Sequence, residues 1–126
     1  MKNIIISFLI FAILIITIFL SVVYINYSCR ELITINNSVE VAINAEDWKL
    51  AKANTNLFLT TWDKHSNVIS MFIHHQEIDN ICMEISKEKT YVAERNTEET
   101  LSNISTINFL LEHIINMENL SIQNIF

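Results

Sequence analysis

His74, His75, Glu77 and Asp79 are the densest run of chemistry-bearing side chains in the sequence. On a helix, His75 and Asp79 share a face four residues apart, and His74 and Glu77 share one three apart. Imidazole with carboxylate is a donor set for a divalent metal. A zinc site needs three or four converging ligands, and this run lacks the second histidine of a His-Glu-x-x-His helix. The expected arrangement is a helix start, with acids near its positive end and histidines in solvent. These four residues are therefore the only metal candidates, and no cofactor is expected. His65 lies between Trp62 and Ile69 on an apolar stripe and reads as a buried neutral histidine holding one hydrogen bond. His113, beside Glu112, reads as a surface residue. Histidine's ordinary titration range makes a pH-sensing role for His65, His74 and His75 the alternative.

Catalysis finds no support in the residue pattern. Serines, threonines and four histidines are present, but none stands in a context that activates a nucleophile. The chain contains no glycine. That excludes glycine-rich phosphate loops and nucleophile elbows, whose backbones must bend sharply or approach a ligand closely. The expectation is a protein that is not an enzyme.

The elements that position these residues follow from composition. In 126 residues there is neither Gly nor Pro, where average usage would give roughly nine and six. Tight hairpins lean on Gly and helices are broken by Pro, so their joint absence predicts an all-α fold of long helices.

Residues 3–29 carry no charged side chain, and the apolar part, residues 4–25, is interrupted only by Ser7, Thr17, Ser21 and Tyr24. At about 1.5 Å per residue this stretch can cross a hydrocarbon core of about 30 Å. It is longer than a signal-peptide core, and Asn26 and Tyr27 are poor residues before a lipoprotein-type Cys29, so an uncleaved anchor is expected. Lys2 and the terminal amine precede the run, whereas Arg30 is followed at once by Glu31. The flanking charge predicts a cytoplasmic N-terminus and an extracytoplasmic C-terminal domain in the cell membrane, single-pass. The division expected is a cytoplasmic tip and anchor over 1–27 and a helical bundle over 28–126. From Glu31 onward lie all 14 acidic side chains but only six of the eight basic ones, since Lys2 and Arg30 precede it, a net of −8. Such a surface disfavours nucleic acid and an anionic bilayer surface. Cys29 and Cys82 do not form a disulfide framework and read as two idle thiols.

Periodicity then sets the helices. Ser28, Leu32, Ile35, Val39 and Ala42 continue the anchor as a bundle seam. Asn44 is expected to cap a second helix over about 45–73, with Asp47 reaching back as the capping-box acid. That helix has the clearest stripe: Trp48, Ala51, Thr55, Phe58, Trp62, His65, Ile69 and Phe72, widened by Leu59 and Ile73. A third helix over about 76–95 should turn Ile78, Ile81, Cys82, Ile85, Val92 and Ala93 inward. Asn96, with Glu99 closing a capping box, starts a fourth helix to about 117, with Leu101, Ile104, Ile107, Asn108, Leu111, Ile114 and Ile115 inward. Ile122, Ile125 and Phe126 are expected to dock on the bundle. The predicted architecture is a transmembrane helix continuing into an antiparallel, up-down four-helix bundle; the alternative is a three-helix domain on a stalk.

A wider pattern joins these pieces. Cys29, Glu31 and Leu32 follow the apolar run. Then come Glu46-Asp47-Trp48-Lys49-x-Ala51-Lys52, Trp62, Phe72-Ile73-x-His75-x-Glu77-Ile78-Asp79, Phe109-Leu110-Leu111-x-His113-Ile114 and a terminal Asn124-Ile125-Phe126. Over essentially the whole chain this resembles the small single-span membrane proteins of clostridial-type bacteria grouped as domain-of-unknown-function family 4363. The resemblance implies no catalytic residues. It implies a multi-span membrane partner of the YetF-like kind. The reading is a membrane-anchored interaction or accessory module that sits in a lipid bilayer, binds a larger membrane protein and is open to self-association. The alternative is an extracytoplasmic sensor of a small molecule or metal that works through a partner.

Overall fold

The structure, a computed structural model, describes residues 1–125. Four helices follow one another: α1 Lys2–Asn44, α2 Trp48–Phe72, α3 His75–Ala93 and α4 Thr97–Ile125. Around the ring α1 packs on α2, α2 on α3, α3 on α4 and α4 on α1. The result is an up-down-up-down bundle in which α1 is a full member, so the domain is not three helices on a separate stalk.

Helix α1 is unbroken over 43 residues, about 65 Å at 1.5 Å per residue. Its N-terminal half is apolar on every side and exposed, with no helix packed against it. That half is long and apolar enough to cross a membrane. The bundle core begins at Val22 and Ile25. The 27/28 division drawn above therefore falls inside one continuous helix, and the bundle overlaps the last residues of the apolar run.

Two of the three links share one construction. At 45–47, Glu46 N–H donates to the Ile43 carbonyl and Asp47 N–H to the Ala42 carbonyl. At 94–96, Arg95 N–H donates to Val92 and Asn96 N–H to Tyr91. Both are Schellman endings, and both put a non-glycine residue in the left-handed region, Glu46 at φ 58° and Arg95 at φ 55°. The next residue at once caps the following helix: Asp47 accepts from Leu50 N–H at 3.0 Å and Asn96 Oδ1 from Glu99 N–H at 3.1 Å. Asp47, not Asn44, is thus the cap of α2, and Asn44 remains inside α1. In neither case is the cap's own N–H free for a returning acid, because a carbonyl of the preceding helix has taken it. The middle link has no left-handed residue. His74 caps α3, its Nδ1 accepting from Gln76 N–H at 3.2 Å.

The α2 stripe packs as its spacing predicts, with Ala51, Thr55, Phe58, Trp62, His65 and Ile69 buried and Trp48 half-buried. Phe72 is the exception and is exposed. The helix ends there, and the extended backbone at Ile73 turns that side chain into the core instead. On α3, Ile81, Ile85 and Val92 are buried, but Cys82 and Ala93 face solvent and Glu88 takes a seam position. On α4, Ile104, Ile107, Leu111, Ile114 and Ile115 are buried as expected. The end of α4 does not dock as expected: Ile122 is half-buried and Ile125 exposed. Phe126 lies outside the described residues.

The core has two storeys. The larger, near the anchor, includes Ile25, Leu32, Phe58, Trp62, Ile85 and Leu111; the smaller, at the far end, includes Val39, Ala42, Ala51, Val92 and Ile104. Between them each of the first three helices buries a polar residue on its seam: Asn36, Thr55 and Glu88.

Candidate functional site

His65 stands at the centre of the most connected polar cluster. Helix α2 carries it on the seam, facing three residues of α1 spaced by one helical face, Tyr24, Ser28 and Glu31. Its Nε2 lies 2.8 Å from Glu31 Oε2. Its Nδ1 lies 2.7 Å from the Tyr24 hydroxyl and 3.2 Å from Ser28 Oγ. The Tyr24 and His65 rings meet edge to face, 5.5 Å between centroids. A carboxylate can only accept, so Nε2 carries a proton and donates to Glu31. In the neutral ring Nδ1 accepts from Tyr24; in the imidazolium it donates to that oxygen. Both protonation states therefore keep a partner at each nitrogen, where one hydrogen bond was expected.

A carboxylate, an imidazole and a serine hydroxyl in line are the parts of a nucleophilic triad. Ser28, however, is fully buried, so no substrate carbonyl reaches its Oγ in this arrangement. What the cluster does is join α1 to α2 at the end of the apolar run, which still includes Tyr24. Glu31 is half-exposed and opens onto a groove of about 510 Å³ between the two helices, lined by Tyr27, Arg30, Thr34, Leu57 and Thr61 among others. On the other flank of α1 a groove of about 500 Å³ is lined by Arg30, Glu112 and Asn116. Arg30 borders both grooves. Among the described residues the ion pairs are His65–Glu31 and Lys87–Glu84, and Arg30 belongs to neither.

Glu88 is the second unusual group. It is buried on α3 against α2, where Thr55 Oγ1 donates to its Oε1 at 3.4 Å and Oε2 has no partner. Burial pushes its carboxyl up to about 7, partly offset by the Thr55 hydrogen bond. Burial likewise pushes the Cys29 thiol up to about 12, with the nearby Glu118 charge adding to it, and raises Glu118 itself. Cys29 is buried and Cys82 exposed, and both are free.

The four residues singled out for metal are not brought together. His74 is occupied as the α3 cap, His75 and Asp79 face solvent, and Glu77 is half-buried. Among the described residues no group of three or more His, Cys, Asp or Glu side chains converges as a metal site. His113 is exposed and stacks on Phe109 at 6.3 Å. Sequence reading missed Tyr24, Glu31 and Glu88. A signal existed for each. Residues 24, 28 and 31 follow a four-three spacing opposite a seam histidine, and Glu88 falls in the Ile81, Ile85, Val92 phase of α3.

An all-helical bundle whose first helix extends as a bare apolar rod, with a histidine-centred polar cluster between α1 and α2, is the class these features define. The chain belongs to the family described as domain of unknown function (DUF4363), whose sequence profile matches residues 19–125. The matched region begins close to Val22, where the bundle core begins. No curated protein and no solved structure matches the chain.

Proposed function

We propose that the protein is a single-span, membrane-anchored accessory module, with its N-terminus in the cytoplasm and its bundle outside, that binds a larger multi-span membrane protein. One observation carries this reading. The N-terminal half of α1 is apolar all round and unpartnered, yet it is the same helix that supplies one wall of the bundle. A helix hydrophobic on every side needs lipid or protein around it. Further along the same helix, beside residues 27–35, two open grooves mix charged, polar and apolar side chains, which suits contact with another surface. The burial of Ser28 supports a non-enzymatic role. Cross-linking in native membranes followed by mass spectrometry tests the proposal. A stoichiometric adduct with one multi-span protein is expected; adducts with lipid-anchored neighbours in proportion to their abundance, or only with a second copy of this chain, overturn it.

The Glu31-lined groove, backed by the buried His65, favours a second reading: a sensor subunit taking up a small polar molecule or a metal and passing the change to a partner. A native mass of the full chain in detergent showing a retained ligand or metal supports that reading.

A further inference from the structure

The lower end of the bundle reaches into the apolar run of α1 instead of stopping above it. Hydrogen bonds fix the register. His65 spans Tyr24, Ser28 and Glu31, which sets it level with about Ser28. Helix α2 runs antiparallel to α1, so Met71, six residues on, lies about 9 Å lower, level with Val22. Asn119 of α4 accepts from Asn26 at 3.0 Å, and Ile125, six residues further, lies level with Leu20. The α2–α3 turn and the end of α4 therefore come down to the same depth. They leave only residues 4–20 of the apolar run clear of the bundle.

Those 17 residues rise about 26 Å, less than a hydrocarbon core of about 30 Å. Filling that core immerses α1 to about Val23. At this immersion the bundle's lower end is in the edge of the lipid. Its composition suits that place. Residues 66–76 and 119–125 contain no Asp, Glu, Lys or Arg, in a chain that is 17% charged. The large apolar side chains they expose are Met71 at 75%, Phe72 at 45%, Leu120 at 56% and Ile125 at 58%, set among exposed polar side chains that include His74 and His75 in the turn and Asn119 and Gln123 on α4. Above this level Tyr27 and Arg30 are exposed on α1, an aromatic ring and a cation where headgroups begin.

We propose that the α2–α3 turn and the last turn of α4 insert into the bilayer surface beside α1, so that the domain grips phospholipid at three points. The inference rests on the anchor reading above, and commits to lipid as what covers these side chains.

Spin labels on the full chain in phosphatidylcholine vesicles test it. The background is Cys82→Ser, since Cys29 is buried, and that variant alone is the blank. Labels at Met71→Cys and Ile125→Cys are compared with Leu14→Cys in the apolar run and Leu57→Cys on the side of the bundle. The readout is collision with oxygen against collision with a water-soluble nickel chelate. Labels at 71 and 125 are expected to favour oxygen several-fold more than the label at 57. Accessibility at both positions equal to that at 57, with 14 still shielded, overturns the insertion and spares the anchor. A label at 14 open to the chelate overturns both. Ile125 is exposed at the end of its helix, so its substitution leaves the fold in place if the change at Met71 does not.

Discussion

Glu88→Gln is the substitution whose outcome is most tightly set by the structure. In the folded chain burial holds the Glu88 carboxyl near 7, against an ordinary value of 4.5. Between those two pH values the folded state keeps a proton that the unfolded state has lost. Stability from this group is therefore fully present below 4.5 and is lost as pH rises through 7. At about 1.4 kcal/mol per pH unit, the ionised form costs the fold about 3 kcal/mol at pH 8. Glutamine keeps an oxygen for the Thr55 hydroxyl and cannot ionise. Its extra N–H, left without a partner, adds a penalty of about 1–2 kcal/mol that does not change with pH. The assay is urea unfolding of the full chain in a non-ionic detergent, followed by the fluorescence of buried Trp62, at pH 5 and pH 8. The variant is expected to gain most of about 3 kcal/mol on the parent between these two pH values. The raised Glu118 carboxyl contributes to both chains and cancels in the comparison. Parallel stability profiles for parent and variant would refute the account, because they would mean that Glu88 is solvated when the bundle is folded.

Four further outcomes follow from the geometry. Glu46→Gly and Arg95→Gly should each raise stability by about 0.5–1 kcal/mol, measured by the same unfolding, because glycine removes the side-chain clash at positive φ and gives back only part of that gain as chain entropy. Asp47→Ala, by contrast, should lower it by about 1 kcal/mol through loss of the cap on α2. His65→Ala should cost about 2–3 kcal/mol, since it strands the buried Ser28 hydroxyl and opens a gap beside Trp62, while Tyr24→Phe should cost about 1 kcal/mol; equal losses from the two would count against the three-way cluster. Maleimide in detergent should modify one thiol per folded chain, Cys82, with Cys29 reacting only on unfolding, as counted by intact mass.

Much of the fold was legible because the α2 stripe advances by alternating threes and fours, a pattern that only a helix buried along one face requires. Where sequence reading slipped, a backbone event hid the answer. Asn44 and Asp47 are both good caps, and the choice fell to Asp47 because α1 runs on to a left-handed Glu46. A glycine there would have announced the turn, and this chain has none. Phe72 and Ile73 exchanged places because α2 ends at Phe72, the last position of the stripe, and the backbone turns extended at Ile73. Cys82 is apolar in character but lies beside the Ile81–Ile85 line, not on it. Glu88 was passed over for the opposite reason, because its charge outweighed its phase. The His65 cluster was half visible: the seam position gave the burial, but its partners on α1 could be chosen only once the register of α1 against α2 was known. The metal candidates looked clustered in sequence and are scattered in space, since a helix start fans successive side chains by about 100° each.

The length of α1 has a mechanical meaning. It runs as one uninterrupted helix from within the apolar rod, past the histidine cluster and the polar layer, to Asn44 at the far tip. A broken helix would absorb motion; a continuous one carries it. A rotation, sliding or change of slant imposed on the rod by a neighbouring helix or a thinner bilayer has a continuous path to the opposite pole, about 40 Å away. The molecule is in that sense a lever with its fulcrum where Tyr24, Ser28 and Glu31 hold His65.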